Sequence, residues 1–185
     1  IPDRITFLRT LAFEDCTSLT NLVIGDGMAQ SGWMRFDSDD SLAHLVLGEG
    51  VPNIPGEAFW QCGSLESVTM GTGVTTIGSR AFSSCTNLRN LVIGENVQFI
   101  EDYAFESCSA LTTMVIPDSV TNIQEYGFYD CSSLPTIDLS TNLTHIGNGA
   151  LGSCSNLADI TIPDGITVLN DSVFMNCTSL TNDQM

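Results

Sequence analysis

The stretch AFESCSALTTMVIPDSVTNI (residues 104–123) decides the fold, because its apolar positions return along the rest of the chain at one fixed interval. Its cysteine belongs to the column Cys62, Cys85, Cys108, Cys131, Cys154 and Cys177, which steps by twenty-three residues each time. Cys16 stands two steps before Cys62, and the beat between them falls on Asp39. Three residues ahead of each beat is a phenylalanine column, Phe13, Phe36, Phe59, Phe82, Phe105, Phe128 and Phe174, with Leu151 as the one substitute. Three residues after it is an unbroken leucine column from Leu19 and Leu42 to Leu157 and Leu180. A fixed period of this length marks a repeat protein, in which each unit covers its apolar face by stacking on its neighbours.

Eight units follow one another without insertion or deletion, each reading roughly A-F-x-x-C-x-x-L-x-x-L-x-I-[GP]-x-x-V-x-x-I. The alternation in Leu22-Val23-Ile24 and Met114-Val115-Ile116 predicts a short strand with one face inward. The Gly or Pro that follows (Gly25, Gly48, Gly71, Gly94, Pro117, Pro163) ends that strand. Gly27, Gly50, Gly73, Asn96, Asn142 and Gly165 then suit a left-handed turn. The V-x-x-I segment predicts a second extended piece, and A-F-x-x-C a helical turn too short to stand without packing. Strands stacked in parallel about 4.8 Å apart give a sheet on the order of 40 Å long for eight units.

The pattern L-x-x-L-x-I behind a cysteine, clearest in CSSLPTIDL (131–139) and in 104–123, resembles the leucine-rich repeats of the BspA-like type found in bacterial and protist surface proteins. The resemblance covers essentially the whole chain. It implies an α/β repeat solenoid, a leucine-rich repeat arc of eight 23-residue units with a parallel concave β-sheet and short helical turns on the convex side. It also implies a role in adhesion to host or matrix proteins or to other cells, and an extracellular or cell-surface location. No linker interrupts the register, so residues 1–185 are expected to form a single solenoid. Ile1-Pro2-Asp3 matches the middle of a unit (compare Ile116-Pro117-Asp118), and no capping module is visible, so a segment of a longer protein is expected.

The formal net charge is −17, with five arginines and no lysine. All five (Arg4, Arg9, Arg35, Arg80, Arg89) lie in the first half. Nucleic acid and anionic membrane are poor partners for such a chain. There is no run of eighteen apolar residues, so no membrane insertion is expected. A cationic protein, a divalent cation or a neutral glycan suits better, and the acidity also serves solubility. One cysteine per unit at one inward position reads as a ladder of free, buried thiols rather than as disulfides. There is no C-x-x-C, and neither His44 nor His145 lies near a second ligand in sequence, so no zinc, cofactor or other metal is assigned.

The candidate binding surface is the exposed, concave face of the strands. One column there is Val23, Val46, Thr69, Val92, Val115, Asp138 and Thr161; the other is Asn21, His44, Ser67, Asn90, Thr113, Thr136 and Asp159. Repeat proteins present many side chains on such a face, and the valines make a mildly apolar stripe. An acidic row lies just past the strands: Asp3, Asp26, Glu49, Glu95, Asp118 and Asp164, interrupted by Thr72 and Thr141. It is read as a solvated turn edge, with Ca²⁺ on oxygen ligands as the alternative. The second unit breaks the pattern, with Ser31, Arg35 and Asp39 at core columns beside Trp33 and Met34. Buried charge there is costly, so the segment must open out or pair Arg35 with an aspartate. Trp60, Tyr103, Tyr126 and Tyr129 are aromatics that offer stacking surfaces for sugars.

No catalytic residues are assigned. There is no G-x-S-x-G, H-E-x-x-H or phosphate loop, and the two histidines are more than four units apart. Three sequons (Asn142, Asn170, Asn176) are no more than this composition gives by chance. Two function classes remain: a non-catalytic interaction or adhesion module that binds a protein or glycan on a surface or matrix, and a structural spacer in a larger surface protein. Exposed solenoid ends and edges also invite self-association.

Overall fold

The computed structural model describes residues 1–8, 12–13, 16–28 and 35–181. Within them the chain is a parallel-strand β-solenoid of about six turns. The first strand type comprises β1 (Asn21–Ile24), β2 (His44–Leu47), β4 (Ser67–Met70), β6 (Asn90–Val92), β9 (Thr136–Ile137) and β11 (Asp159–Ile160). The V-x-x-I segments supply β3 (Asn53–Ile54), β5 (Thr76–Ile77), β7 (Phe99–Ile100), β8 (Asn122–Ile123) and β10 (His145–Ile146). They make a four-stranded sheet in the order β1-β2-β4-β6, a five-stranded sheet in the order β10-β8-β7-β5-β3, and the pair β11-β9. All pairs are parallel, and every partner is twenty-three residues away, as in Leu22↔Leu45 and Leu45↔Val68.

Register follows from burial. In β1 and β2 the residues alternate exposed and buried, so a one-residue slip would turn Leu22, Ile24, Leu45 and Leu47 into solvent. The apolar columns close into one buried cluster from Leu8 to Cys177. At its centre the rings of Phe36, Phe59, Phe82, Phe105 and Phe128 stack with centroids 5.2–5.4 Å apart and planes within 3–5°. Leu151, itself fully buried, interrupts the stack.

The thiols line the same core. Cys62, Cys85, Cys108, Cys131, Cys154 and Cys177 are free and buried, and each donates to a carbonyl twenty-six residues earlier, as Cys85 to Phe59 at 3.2 Å and Cys108 to Phe82 at 3.2 Å. Burial pushes the Cys62 and Cys154 thiols up to about 12. Cys16 departs from the expected inward position: it is exposed.

The expected helical turns are absent: no helix occurs among the described residues. Instead the A-F-x-x-C turns place two residues in the left-handed region, Glu57 (φ 60°) and Gln61 (φ 60°), then Arg80 and Ser84, Tyr103 and Ser107, and Tyr126 and Asp130. Their N–H groups alternate. Glu57, Phe59 and Gln61 donate to Ser79, Ala81 and Ser83 of the next unit, whereas Ala58, Trp60 and Cys62 donate three residues back. One turn of helix would gain too few internal bonds to nucleate. Bonding every second N–H to a neighbour satisfies the backbone at the expense of two left-handed residues per turn.

The Gly/Asn column is also corrected. Among described glycines only Gly149 has positive φ. Glycine stands at position 50 because the preceding unit comes too close: a Cβ there would lie 1.5 Å from the Asp26 carbonyl oxygen. Where asparagine replaces it, the side chain reaches back instead. Asn96 Nδ2 donates to Thr72 O at 2.8 Å and Asn142 Nδ2 to Asp118 O at 2.9 Å.

Candidate functional site

The exposed face of the first sheet is built by the alternation that buries the core. Val23 is 56% exposed, Val46 39%, Val92 55% and Val115 64%, and Thr69, Asp138 and Thr161 are exposed with them. Val23 pairs with Val46, Val46 with Thr69, Thr69 with Val92, and Val115 with Asp138. In the second row Asn21, His44, Asn90, Thr113, Thr136 and Asp159 are exposed, and Ser67 is half-buried. His44 Nδ1 lies 2.8 Å from Ser67 Oγ, a pair that reading the sequence alone did not single out. Among the described residues, the hydrogen bond of that ring runs to a hydroxyl and not to a carboxylate. His145 sits on β10 in the other sheet, apart from it.

The two rows do not run unbroken. No strand pairing joins Val92 to Val115, although the same two units stay paired through Phe99↔Asn122 on the other sheet. The break coincides with a change in one column. Glycine at 48, 71 and 94 lets successive units approach closely: an added Cβ at Gly71 would lie 2.6 Å from the Gly48 carbonyl carbon, and one at Gly94 would lie 2.5 Å from the Gly71 carbonyl oxygen. The N–H of Gly48 also donates to Ile24 O at 2.7 Å. Pro117 has a Cβ, a ring and no N–H, so it cannot repeat the close approach or the backbone bond made at the glycines.

A groove of about 630 Å³ results, lined by Leu91, Val92, Ile93, Glu95, Thr113, Met114, Val115, Pro117, Asp118 and Ser119. Leu91 is half-buried there, whereas Leu22, Leu45 and Val68 in its column are buried. The Ser119 hydroxyl is buried without a hydrogen-bond partner. The proline recurs at Pro163, where the strands nevertheless stay paired, Thr136 with Asp159 and Ile137 with Ile160. A second groove, about 500 Å³, lies before it, lined by residues that include Thr136, Asp138, Thr141, Asp159, Thr161 and Asp164. The sequence carried this signal as a change from glycine to proline within one column.

The acidic row has a structural use. Asp3 Oδ1 accepts the Asp26 N–H at 3.0 Å, and Asp26 Oδ1 accepts the Glu49 N–H at 2.8 Å. Asp118 Oδ1 accepts both the N–H and the hydroxyl of Thr141, at 3.0 and 2.9 Å. Those two bonds hold the Asp118 carboxyl below its ordinary value. Among the described residues no three His, Cys, Asp or Glu side chains gather as a metal site.

In the second unit, Arg35 makes a two-pronged pair with Asp37 at 2.9 and 3.2 Å. That bond is the main reason its guanidinium is pushed up. Asp39, in the thiol column, accepts the Ser41 N–H and hydroxyl and the Leu42 N–H. Ser31, Trp33 and Met34 lie outside the described residues. Tyr103 and Tyr126 are a poor platform for sugars. Tyr103 lies between the Arg80 guanidinium (4.8 Å) and the Tyr126 ring (4.9 Å), and Tyr126 rests on Gly149, so the ring faces are occupied. No helix among the described residues is long and apolar enough to cross a membrane.

Comparison with known proteins gives a consistent picture. A model of the BspA type leucine rich repeat region matches residues 1–111 and 53–181, in six copies. A leucine-rich repeat protein of T. pallidum is 28% identical, with a TM-score of 0.72 over 87% of this chain and 72% of that one. One from Bacteroides ovatus is 20% identical, with a TM-score of 0.63 over 94% of this chain and 57% of that one. The pneumococcal vaccine antigen PcpA is 14% identical, with a TM-score of 0.59 over 80% of this chain and 50% of that one. The last two likenesses speak to the fold alone. No curated protein matches, and no enzyme family is indicated. The repeat columns, the solenoid they build and this match agree: the chain belongs to the BspA-type leucine-rich repeat family.

Proposed function

We propose that the protein is a non-catalytic interaction module of the cell surface or extracellular space, which holds a protein or glycan ligand against the exposed face of its first sheet. In this reading the eight units curve so that this face is concave, and residues 1–185 act as one solenoid within a longer surface protein. The observation that carries it is the pair of side-chain rows held in register on strands whose alternate residues are locked in the core. A rigid face of this kind meets a ligand without having to be ordered first. Its four exposed valines supply apolar contact, flanked by the polar residues of the second row.

The test is a binding screen of the segment against matrix proteins, glycans and cell surfaces, repeated with the double variant Val46→Glu, Val92→Glu. Both residues are exposed, so the variant should fold, and it should lose most of any partner found. A partner held equally well by the variant would refute the assignment to this face. A folded protein with no partner would move the reading to a spacer role.

A further inference from the structure

Two grooves open on one face of the solenoid, each just before a unit that carries proline (Pro117, Pro163) in the column that is glycine at 48, 71 and 94; strand pairing is interrupted only at the first, since Thr136 pairs with Asp159 and Ile137 with Ile160 across the second. The first groove is apolar at its base, between Val92 and Val115 with Leu91 and Met114 beneath, and carries Glu95 and Asp118 at its rim. The second has three carboxylates, Asp138, Asp159 and Asp164. No lysine or arginine follows Arg89, so nothing on this half of the chain neutralises them.

We infer that this half of the face binds an extended, basic peptide segment that runs along the solenoid, seating an apolar side chain between Val92 and Val115 and a Lys or Arg among Asp138, Asp159 and Asp164. The inference rests on the interaction-module reading above and names its partner class. Spacing adds to it. From the strand position of Val115, at the wall of the first groove, to that of Asp159 in the second is two paired steps, about 9.6 Å at the usual strand separation. A polyproline-II chain rises about 3.1 Å per residue and returns to the same face every third residue, so its residues i and i+3 lie about 9.3 Å apart. A segment with an apolar residue three positions from a basic one matches both grooves without bending. The apolar groove and the acidic one thus select together: a neutral apolar peptide fills only the first, and a purely basic one only the second.

The probe is a synthetic proline-rich peptide with leucine and lysine three residues apart, followed by fluorescence anisotropy against the intact 185-residue chain. Two controls carry glutamate for lysine, or leucine and lysine two residues apart. Binding should weaken at least tenfold for either control, and should fall steeply as salt rises. Pro117→Gly restores an N–H and removes the Cβ, so the units should close, and the peptide should bind at least tenfold more weakly while the fold is kept. The double variant Asp138→Lys, Asp159→Lys should do the same. Equal binding of the glutamate control, or no change in either variant, overturns the inference. A screened partner lost on Val46→Glu, Val92→Glu but indifferent to both groove variants would also overturn it while leaving the module reading intact. A partner indifferent to Val46→Glu, Val92→Glu would overturn that reading itself.

Discussion

Replacing Phe105 by leucine should cost more than the same replacement at Phe128, and the difference isolates one ring contact. Both side chains are fully buried. Phe105 is stacked on both sides, against Phe82 at 5.3 Å and Phe128 at 5.2 Å. Phe128 has a ring on one side only, because its next neighbour in the column is Leu151. The two substitutions remove the same atoms from equivalent sites, and Leu151 shows that the column accepts leucine. An aromatic pair is worth about 0.5–1.5 kcal/mol beyond its buried area. Phe105→Leu then forfeits two such pairs, about 1–3 kcal/mol, and Phe128→Leu one, about 0.5–1.5 kcal/mol. Urea unfolding followed by far-UV circular dichroism, compared at a common slope, reads the difference directly. Equal losses, within about 0.3 kcal/mol, would show that the rings act as apolar filler and that their parallel stacking adds nothing.

Other outcomes follow from the same geometry. Alkylation of the native protein at neutral pH should modify Cys16 alone, and urea should release the six buried thiols; rapid labelling of Cys85 or Cys108 in the native state would contradict the core ladder. Gly50→Ala drives a methyl into the Asp26 carbonyl and should cost about 3 kcal/mol or more. Gly149→Ala, at φ +61° and 2.5 Å from the Tyr126 ring, should cost about 2 kcal/mol; a melting temperature unchanged in both would refute the close approaches. Asp118 has a depressed folded value, so its contribution is present above the ordinary 3.8 and disappears as pH falls through the lower folded value. The gap in melting temperature between wild type and Asp118→Asn should therefore narrow as pH drops below 3.8, and a gap that widens would reverse the sign of the argument.

The inward columns were legible because burial and register share one period: any residue repeated every twenty-three positions must meet its own copies, and only an apolar set tolerates that. The two exposed rows were legible for the same reason, as the alternate residues of strands already placed. Turn type was not. A-F-x-x-C suits a helical turn by composition, and what decides against it is a bond from Glu57 or Phe59 to the next unit, which local propensity does not register. Glycine at position 50 was assigned to dihedral freedom when the cause is a carbonyl 1.5 Å from where a Cβ would sit. The grooves were missed because Gly94 and Pro117 both read as strand stops. Their difference shows only when a neighbour has to come close.

The contacts between units span fixed offsets: twenty-two residues for a turn N–H such as Glu57 to Ser79, twenty-three for a carboxylate such as Asp26, twenty-four for an asparagine such as Asn96 and twenty-six for a thiol such as Cys108. Duplicating or deleting one whole unit leaves all four offsets intact, whereas inserting a single residue puts all four out of step at once. Copy number is therefore free to drift by recombination while the length of the word is held fixed. A lineage can lengthen or shorten the reach of this protein in one genetic event, without redesigning any contact inside it.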